Sequence, residues 1–310
     1  MLRVAFFVDQ ISSELMTVDL LLPLTKFVQA TALSLCLFSA VSVLADSSSA
    51  VQAAETSFDH RTKTGKRVTE LFTSDEVSAL KASLVYVKGG DFVMGSNSGA
   101  ARAREKPAHN VSLSDFYIGK TEVNQALFER IMGWDFSYYA CSNCPVNNIS
   151  WMNVQLFITR LNEATGLEFR LPSEAQWEYA AKGGQKSQGY LFSGSNDIDQ
   201  VAWFSENAKK KSHPVATKAA NELGLYDMTG NLWEFCQDDM SRKAYQVDRG
   251  VDPVLVSNSD PRAVAMKVVR GGGYEFSADE SQVFTRDGMT SNVRMPDVGF
   301  RLVHPAIEKF

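Results

Sequence analysis

The sequence predicts a mixed α+β domain whose regular elements are short and whose connections are long. Three observations predict it. β-prone runs cluster between Leu84 and Ile118, three separately capped helical patterns follow between Thr121 and Gly183, and the stretch from Gly189 to His304 is rich in Gly, Asn, Asp and Ser with only short apolar runs. Of the 310 residues 45% are apolar and 22% charged, the composition of a globular chain rather than a disordered one. Thirty-one Lys+Arg against 36 Asp+Glu leave a net charge of −5, and no basic run exceeds Lys209-Lys210-Lys211. That pattern offers no electrostatic footprint for nucleic acid.

The first 83 residues read as export and linker. An apolar stretch from Ala30 to Ala45 follows Lys26 and ends in Val43-Leu44-Ala45, small residues that suit a signal peptidase, so residues 1–45 are expected to be a signal peptide. Asp9 and Glu14 do not belong in a leader's first segment, which places the true start at Met16. The alternative is an uncleaved membrane anchor, but the stretch falls short of the roughly 20 apolar residues of a spanning helix and is diluted by Ser34, Ser39 and Ser42. Cys36 is preceded by Leu35 rather than a small residue, against a lipid anchor. Cleavage near Ala45 removes Arg3 and Lys26 together with Asp9, Glu14 and Asp19, for a net charge of −4. The expected location is therefore periplasmic or extracellular, with no stable membrane insertion after cleavage. Residues 46–83 form a linker with one short docking helix from Ser74 to Leu84, capped by Ser74 and carrying Asp75 and Glu76 where the helix dipole favours negative charge.

From Leu84 to His304 the pattern is that of one compact domain, with 305–310 as a tail. Leu84-Val85-Tyr86-Val87 and Asp91-Phe92-Val93-Met94 flank Lys88-Gly89-Gly90, a hairpin signal, and Val111 to Ile118 supplies a further strand. Thr121 is expected to cap a helix carrying Val123, Leu127, Phe128 and Ile131, ended by Gly133. A second helix starts at Ser150 with Trp151, Val154, Phe157, Ile158 and Leu161 on one face and stops at Gly166. In the third, Ser173 and Gln176 make a capping box, Glu178 and Lys182 pair four residues apart, Trp177, Ala180 and Ala181 face inward, and Gly183 ends it.

Four cysteines and four histidines bound the metal chemistry. In an oxidising compartment Cys141 and Cys144 are read as a local disulfide, the alternative being two unpaired thiols; two cysteines do not complete a zinc site. Cys236 reads as a small buried apolar residue. His60, His109, His213 and His304 are scattered, without H-x-x-x-H or H-E-x-x-H spacing, so a histidine-held iron lacks its ligands.

Six ordered blocks carry a resemblance: Val87 to Ser96, Phe116 to Val123, Leu171-Pro172-Ser173-Glu174-Ala175-Gln176-Trp177-Glu178-Tyr179-Ala180-Ala181, Asn221 to Phe235, Arg270-Gly271-Gly272-Gly273 and Gly299-Phe300-Arg301-Leu302. Over 84–304 the chain resembles the formylglycine-generating enzyme, or sulfatase-modifying factor, family. The resemblance implies an α+β fold related to the C-type lectins with little regular secondary structure. It also implies a copper site built from two cysteines after the Gly-Gly turn, because soft thiolates favour Cu(I). Those positions are Phe276 and Ser281, and no cysteine follows Cys236. No copper and no formylglycine-generating oxidase activity are therefore expected.

A structural Ca²⁺ is implied in the Asp227-Met228-Thr229-Gly230-Asn231-Leu232-Trp233-Glu234 block, through Asp227, the carbonyls of Gly230 and Leu232, and Glu234. The alternative for the two carboxylates is that they cap turns or pair with Arg301 or Arg270. By alignment, Tyr274, Glu275, Ser277, Asp279, Glu280, Ser281 and Arg286 line the pocket equivalent to the family's catalytic site, where acid/base work is conceivable; a solvated loop is the alternative. Two functions remain. One is a binding or scaffold protein for an unidentified protein or small-molecule ligand; the other is an exported enzyme of the same superfamily carrying out oxidative tailoring without copper.

Overall fold

The computed structural model describes residues 68–246, 250–257 and 263–306, all within one compact unit spanning His60–Phe310. The expected signal peptide, most of the linker and the last four residues of the tail lie outside the described residues. Among the described residues no helix is long and apolar enough to cross a membrane.

The architecture is α+β, as expected. Helix α1 (Ser74–Ala82) leads into strand β1 (Leu84–Val87), followed by β2 (Gly90–Met94), β3 (His109–Leu113), β4 (Phe116–Gly119), α2 (Gln125–Met132), α3 (Trp151–Thr165), α4 (Glu174–Ala181) and the short α5 (Ile198–Val201). Strands β5 (Trp233–Asp239), β6 (Met266–Arg270), β7 (Arg286–Thr290), β8 (Val298–Gly299) and β9 (Val303–Pro305) complete it. They form three sheets, ordered β1-β4-β9, β2-β3 and β7-β6-β5-β8.

The local signals hold where they are self-contained. Ser150 and Ser173 cap α3 and α4 through their hydroxyls, and Gly133 and Gly166 end α2 and α3 in the left-handed conformation. Two caps shift. Thr73, not Ser74, caps α1 in a capping box with Glu76, and Asn124, not Thr121, caps α2 by accepting from Leu127 N at 2.9 Å.

The expected hairpin is not one. β1 pairs antiparallel with β4 and β2 with β3, so Gly89 marks the point where the chain crosses between sheets. A Cβ there would lie 2.5 Å from the Ser114 carbonyl carbon, and Asp115 Oδ1 accepts from Gly89 N at 2.8 Å, so only glycine permits the crossing. The run from Val111 to Ile118 is likewise two strands in different sheets, divided at Ser114 and Asp115.

Strand β5 divides the interior because successive side chains point to opposite faces. Trp233 and Phe235 pack with Phe128 and Ile131 of α2, Val154, Phe157 and Leu161 of α3, and Phe300. Cys236, on the other face, packs with Trp177 and Ala180 of α4, Val268 and Val303. All eight residues of α4 are buried, Glu174 and Glu178 among them, which its capping pattern alone did not foretell. Truncating a fully buried Trp such as Trp177 costs about 3–5 kcal/mol.

Candidate functional site: the loop face around Asn231

The carboxylates of α4 are matched by arginines that arrive late in the sequence. Arg270 Nη1 donates to Glu174 at 2.8 Å and its Nη2 to Glu178 at 2.5 Å; Arg286 binds Glu174 through Nε and Nη2, both at 2.6 Å. Burial pushes the Glu178 carboxyl up, but Lys182 and Arg270 outweigh it and hold it at about 2. Arg286, expected in the pocket, is thus consumed in the core, where it also donates to the carbonyls of Arg104 and Ser241.

The Asp227–Glu234 block is organised by Asn231. This fully buried residue sits at φ 60°, accepts from His213 N through Oδ1 at 2.9 Å, and donates Nδ2 to Glu122 Oε2 at 3.0 Å. Its main chain donates to the Trp203 carbonyl and accepts from Tyr274 N. Four segments therefore converge on one residue. Sequence reasoning passed over Asn231, whose signal was its place beside Gly230 in a turn that needs a left-handed residue.

Glu234 is engaged by protein groups. Arg301 grips it with Nη2 to Oε1 at 2.6 Å and Nε to Oε2 at 2.7 Å, and Trp177 Nε1 donates to Oε2 at 2.8 Å. Asp227 accepts from Ala216 N through Oδ2, while Oδ1 is buried without a partner; burial is the main reason its carboxyl rises to about 6. Among the described residues no group of three or more His, Cys, Asp or Glu side chains is placed to hold a metal ion. Calcium takes six to eight oxygens, and the carboxylate expected to anchor it here already faces a guanidinium. Of the implied ligand set, Glu234 is committed to Arg301, and Asp227 Oδ1 is a buried acceptor left without a partner.

The positions implied for copper ligands are filled by packing. The Phe276 ring lies edge-on to Trp233 with centroids 5.3 Å apart. Ser281 is fully buried, donates to the Ser277 carbonyl at 3.1 Å, and sits so tightly under Gly272 that a Cβ on that glycine would lie 2.9 Å from Ser281 Cα.

Of the other pocket residues, Ser277, Asp279 and Glu280 lie on a surface turn, Glu280 paired with Arg102 at 3.2 Å. Tyr274 and Glu275 remain at the site, and the fold brings Asp297, Tyr138 and Tyr139 to them. The phenol of Tyr274 is pushed up to about 12, by burial first and then by the charges of Glu275 and Asp297 and the neighbouring Tyr139 and Tyr138. Beneath this face two buried polar atoms have no partner, Trp233 Nε1 and Asp297 Oδ1.

Tyr138 and Tyr139 are 65% and 57% exposed, large apolar surfaces left in water. Their loop is nonetheless fixed. Gln125 donates to the Tyr139 carbonyl at 3.0 Å and accepts from Cys141 N at 2.8 Å, Cys141 is disulfide-bonded to Cys144, and Val215 N donates to the Asn143 carbonyl at 2.9 Å. The tyrosine pair was missed from sequence; its signal was two adjacent aromatics beside a cysteine pair in an otherwise polar loop.

The histidines take packing positions. His213 stacks on Trp203 at 3.8 Å, and His109 leans on Tyr245 at 4.6 Å. His304 lies edge-on to Phe169, and His60 is outside the described residues. Cys236 is a buried free thiol whose pKa burial pushes well up, the reverse of a reactive cysteine.

The profile of the sulfatase-modifying factor enzyme 1-like domain matches residues 68–306. The chain belongs to this family. Among sulfatase-modifying-factor relatives, it is 30% identical over 270 residues to the chaperone protein LppX of Paenibacillus barcinonensis, covering 71% of this chain and 88% of that one. It is 25% identical over 280 residues to the inactive C-alpha-formylglycine-generating enzyme 2 of Bos taurus, covering 71% and 87%. Among solved structures, Treponema denticola variable protein 1 superimposes with a TM-score of 0.65 at 28% identity, covering 72% of this chain and 94% of that one.

Proposed function

We propose that this family member is an exported binding protein, without formylglycine-generating activity, that engages a polypeptide partner through the loop face of Tyr138, Tyr139, Tyr274, Glu275 and Asp297. The observation that carries this is a pair of solvent-facing tyrosines on an immobilised loop above two unmatched buried polar atoms. Rigid tyrosines give contact area at small entropic cost. The similarity to a protein named a chaperone supports a polypeptide as partner, and the side chains at positions 276 and 281 argue against the copper oxidation.

The test has two arms. With Cu(I) and a Cys-x-Pro-x-Arg peptide, mass spectrometry is expected to show an unchanged cysteine, and an aldehyde product overturns the non-oxidase reading. With reduced, carboxymethylated lactalbumin as an unfolded client, binding by the mature protein is expected to fall at least tenfold in Tyr138→Ala/Tyr139→Ala. Equal binding by wild type and variant overturns the assignment of the face.

A further inference from the structure

A second site lies on another part of the molecule. Between α1 on one side and β4, α2 and Leu302 on the other is a cleft of about 500 Å³, in the range of small-molecule sites. Its apolar lining comes from Leu80, Leu84, Val123, Leu127 and Leu302. Helix α1 buries none of its residues fully, and Leu80 meets the core only from a half-buried position. What ties it down is Arg130, which donates to Glu76 Oε1 at 2.9 Å and to the Leu71 carbonyl and lies 4.3 Å over the Phe72 ring.

The charges at the mouth are unequal. Glu76 is matched by Arg130 and by the cap at Thr73. Glu122 lines the cleft, but its carboxylate turns inward to Asn231 Nδ2 and Leu232 N. Lys120 is exposed, has no carboxylate partner among the described residues, and lies 5.4 Å over the Tyr226 ring. An apolar cleft with this ammonium at its mouth selects an apolar body with an anionic head.

We propose that this cleft binds a small amphiphile bearing a carboxylate, with its alkyl body against Leu80, Leu127 and Leu302 and its head group at Lys120. The site is independent of the loop face, and its loss leaves that surface intact.

Decanoate, decanol and decylamine, titrated calorimetrically into the mature protein below their aggregation limits, test it. Decanoate is expected to bind saturably at one site and decylamine at least tenfold more weakly. Leu80→Trp, at a half-buried position on the cleft wall, is expected to weaken decanoate at least tenfold by filling the cleft while leaving the fold intact by circular dichroism. Lys120→Glu is expected to weaken decanoate but not decanol. Absence of saturable decanoate binding, equal binding of decylamine, or binding unaffected by both substitutions overturns the proposal.

Discussion

Glu234 and Arg301 form a two-pronged ion pair in which neither side chain reaches solvent, 67 residues apart in sequence. A buried pair of this kind contributes little over an apolar pair of equal volume, whereas breaking one half strands a charge. Arg301→Met is therefore expected to cost about 3–5 kcal/mol in urea unfolding. Arg301→Met with Glu234→Gln is expected to cost measurably less than Arg301→Met alone. Equal losses for the two would show that the charge is not what is being stranded.

Calcium is expected to leave stability unchanged. An ion bound only by the folded form raises Tm with its concentration, so melting curves in millimolar Ca²⁺ and in chelator should superimpose. A reproducible rise with Ca²⁺, abolished by Asp227→Ala, would show that the block rearranges to release Glu234 from Arg301.

Two carboxylates give opposite pH slopes. Glu178 is held at about 2, below its ordinary 4.5, so its contribution is present above pH 4.5 and is lost as pH falls toward 2. Asp238 is raised to about 7 from 3.8, by burial first and then by the Glu174 charge. The folded state then takes up a proton, and that stabilisation is complete below about pH 4 and lost as pH rises through 7. Chemical unfolding from pH 2 to 9 is expected to show greatest stability in mild acid. Asp238→Asn should flatten the decline between pH 4 and 7; an unchanged slope would remove Asp238 as its source.

Gly272 stands at φ 76° against Ser281, so both backbone and space exclude a side chain. Gly272→Ala is expected to lose about 2 kcal/mol or more by denaturant titration. Gly99→Ala, with nothing near its added Cβ, should stay within about 0.5 kcal/mol of wild type.

How far the sequence was legible follows from the range of each interaction. Ser150, Ser173, Gly133 and Gly166 act within one helical turn, and their signals need no knowledge of the rest of the chain. Gly89 misled because a glycine pair marks a hairpin and a strand crossing equally well, and only the distant Leu113–Ser114 backbone distinguishes them. The i,i+4 pair of Glu178 and Lys182 was visible, but its burial was not, because that depends on Arg270, 92 residues on. At the candidate site, Tyr274 and Glu275 were reachable through alignment. Tyr138, Tyr139 and Asp297 come from other loops and meet them only through the tertiary fold.

The order in which these charges appear has a consequence for biosynthesis. Glu174, Glu178 and Glu234 all precede the arginines that neutralise them, by 67 to 112 residues. At about 5–20 residues per second, a ribosome makes Glu174 and Glu234 seconds before their arginines exist, whereas Glu178 has Lys182 beside it at once and waits only for Arg270. A nascent chain that stops short of Arg270 would have to hide naked carboxylates to collapse, so the domain stays open until nearly all of it has been made.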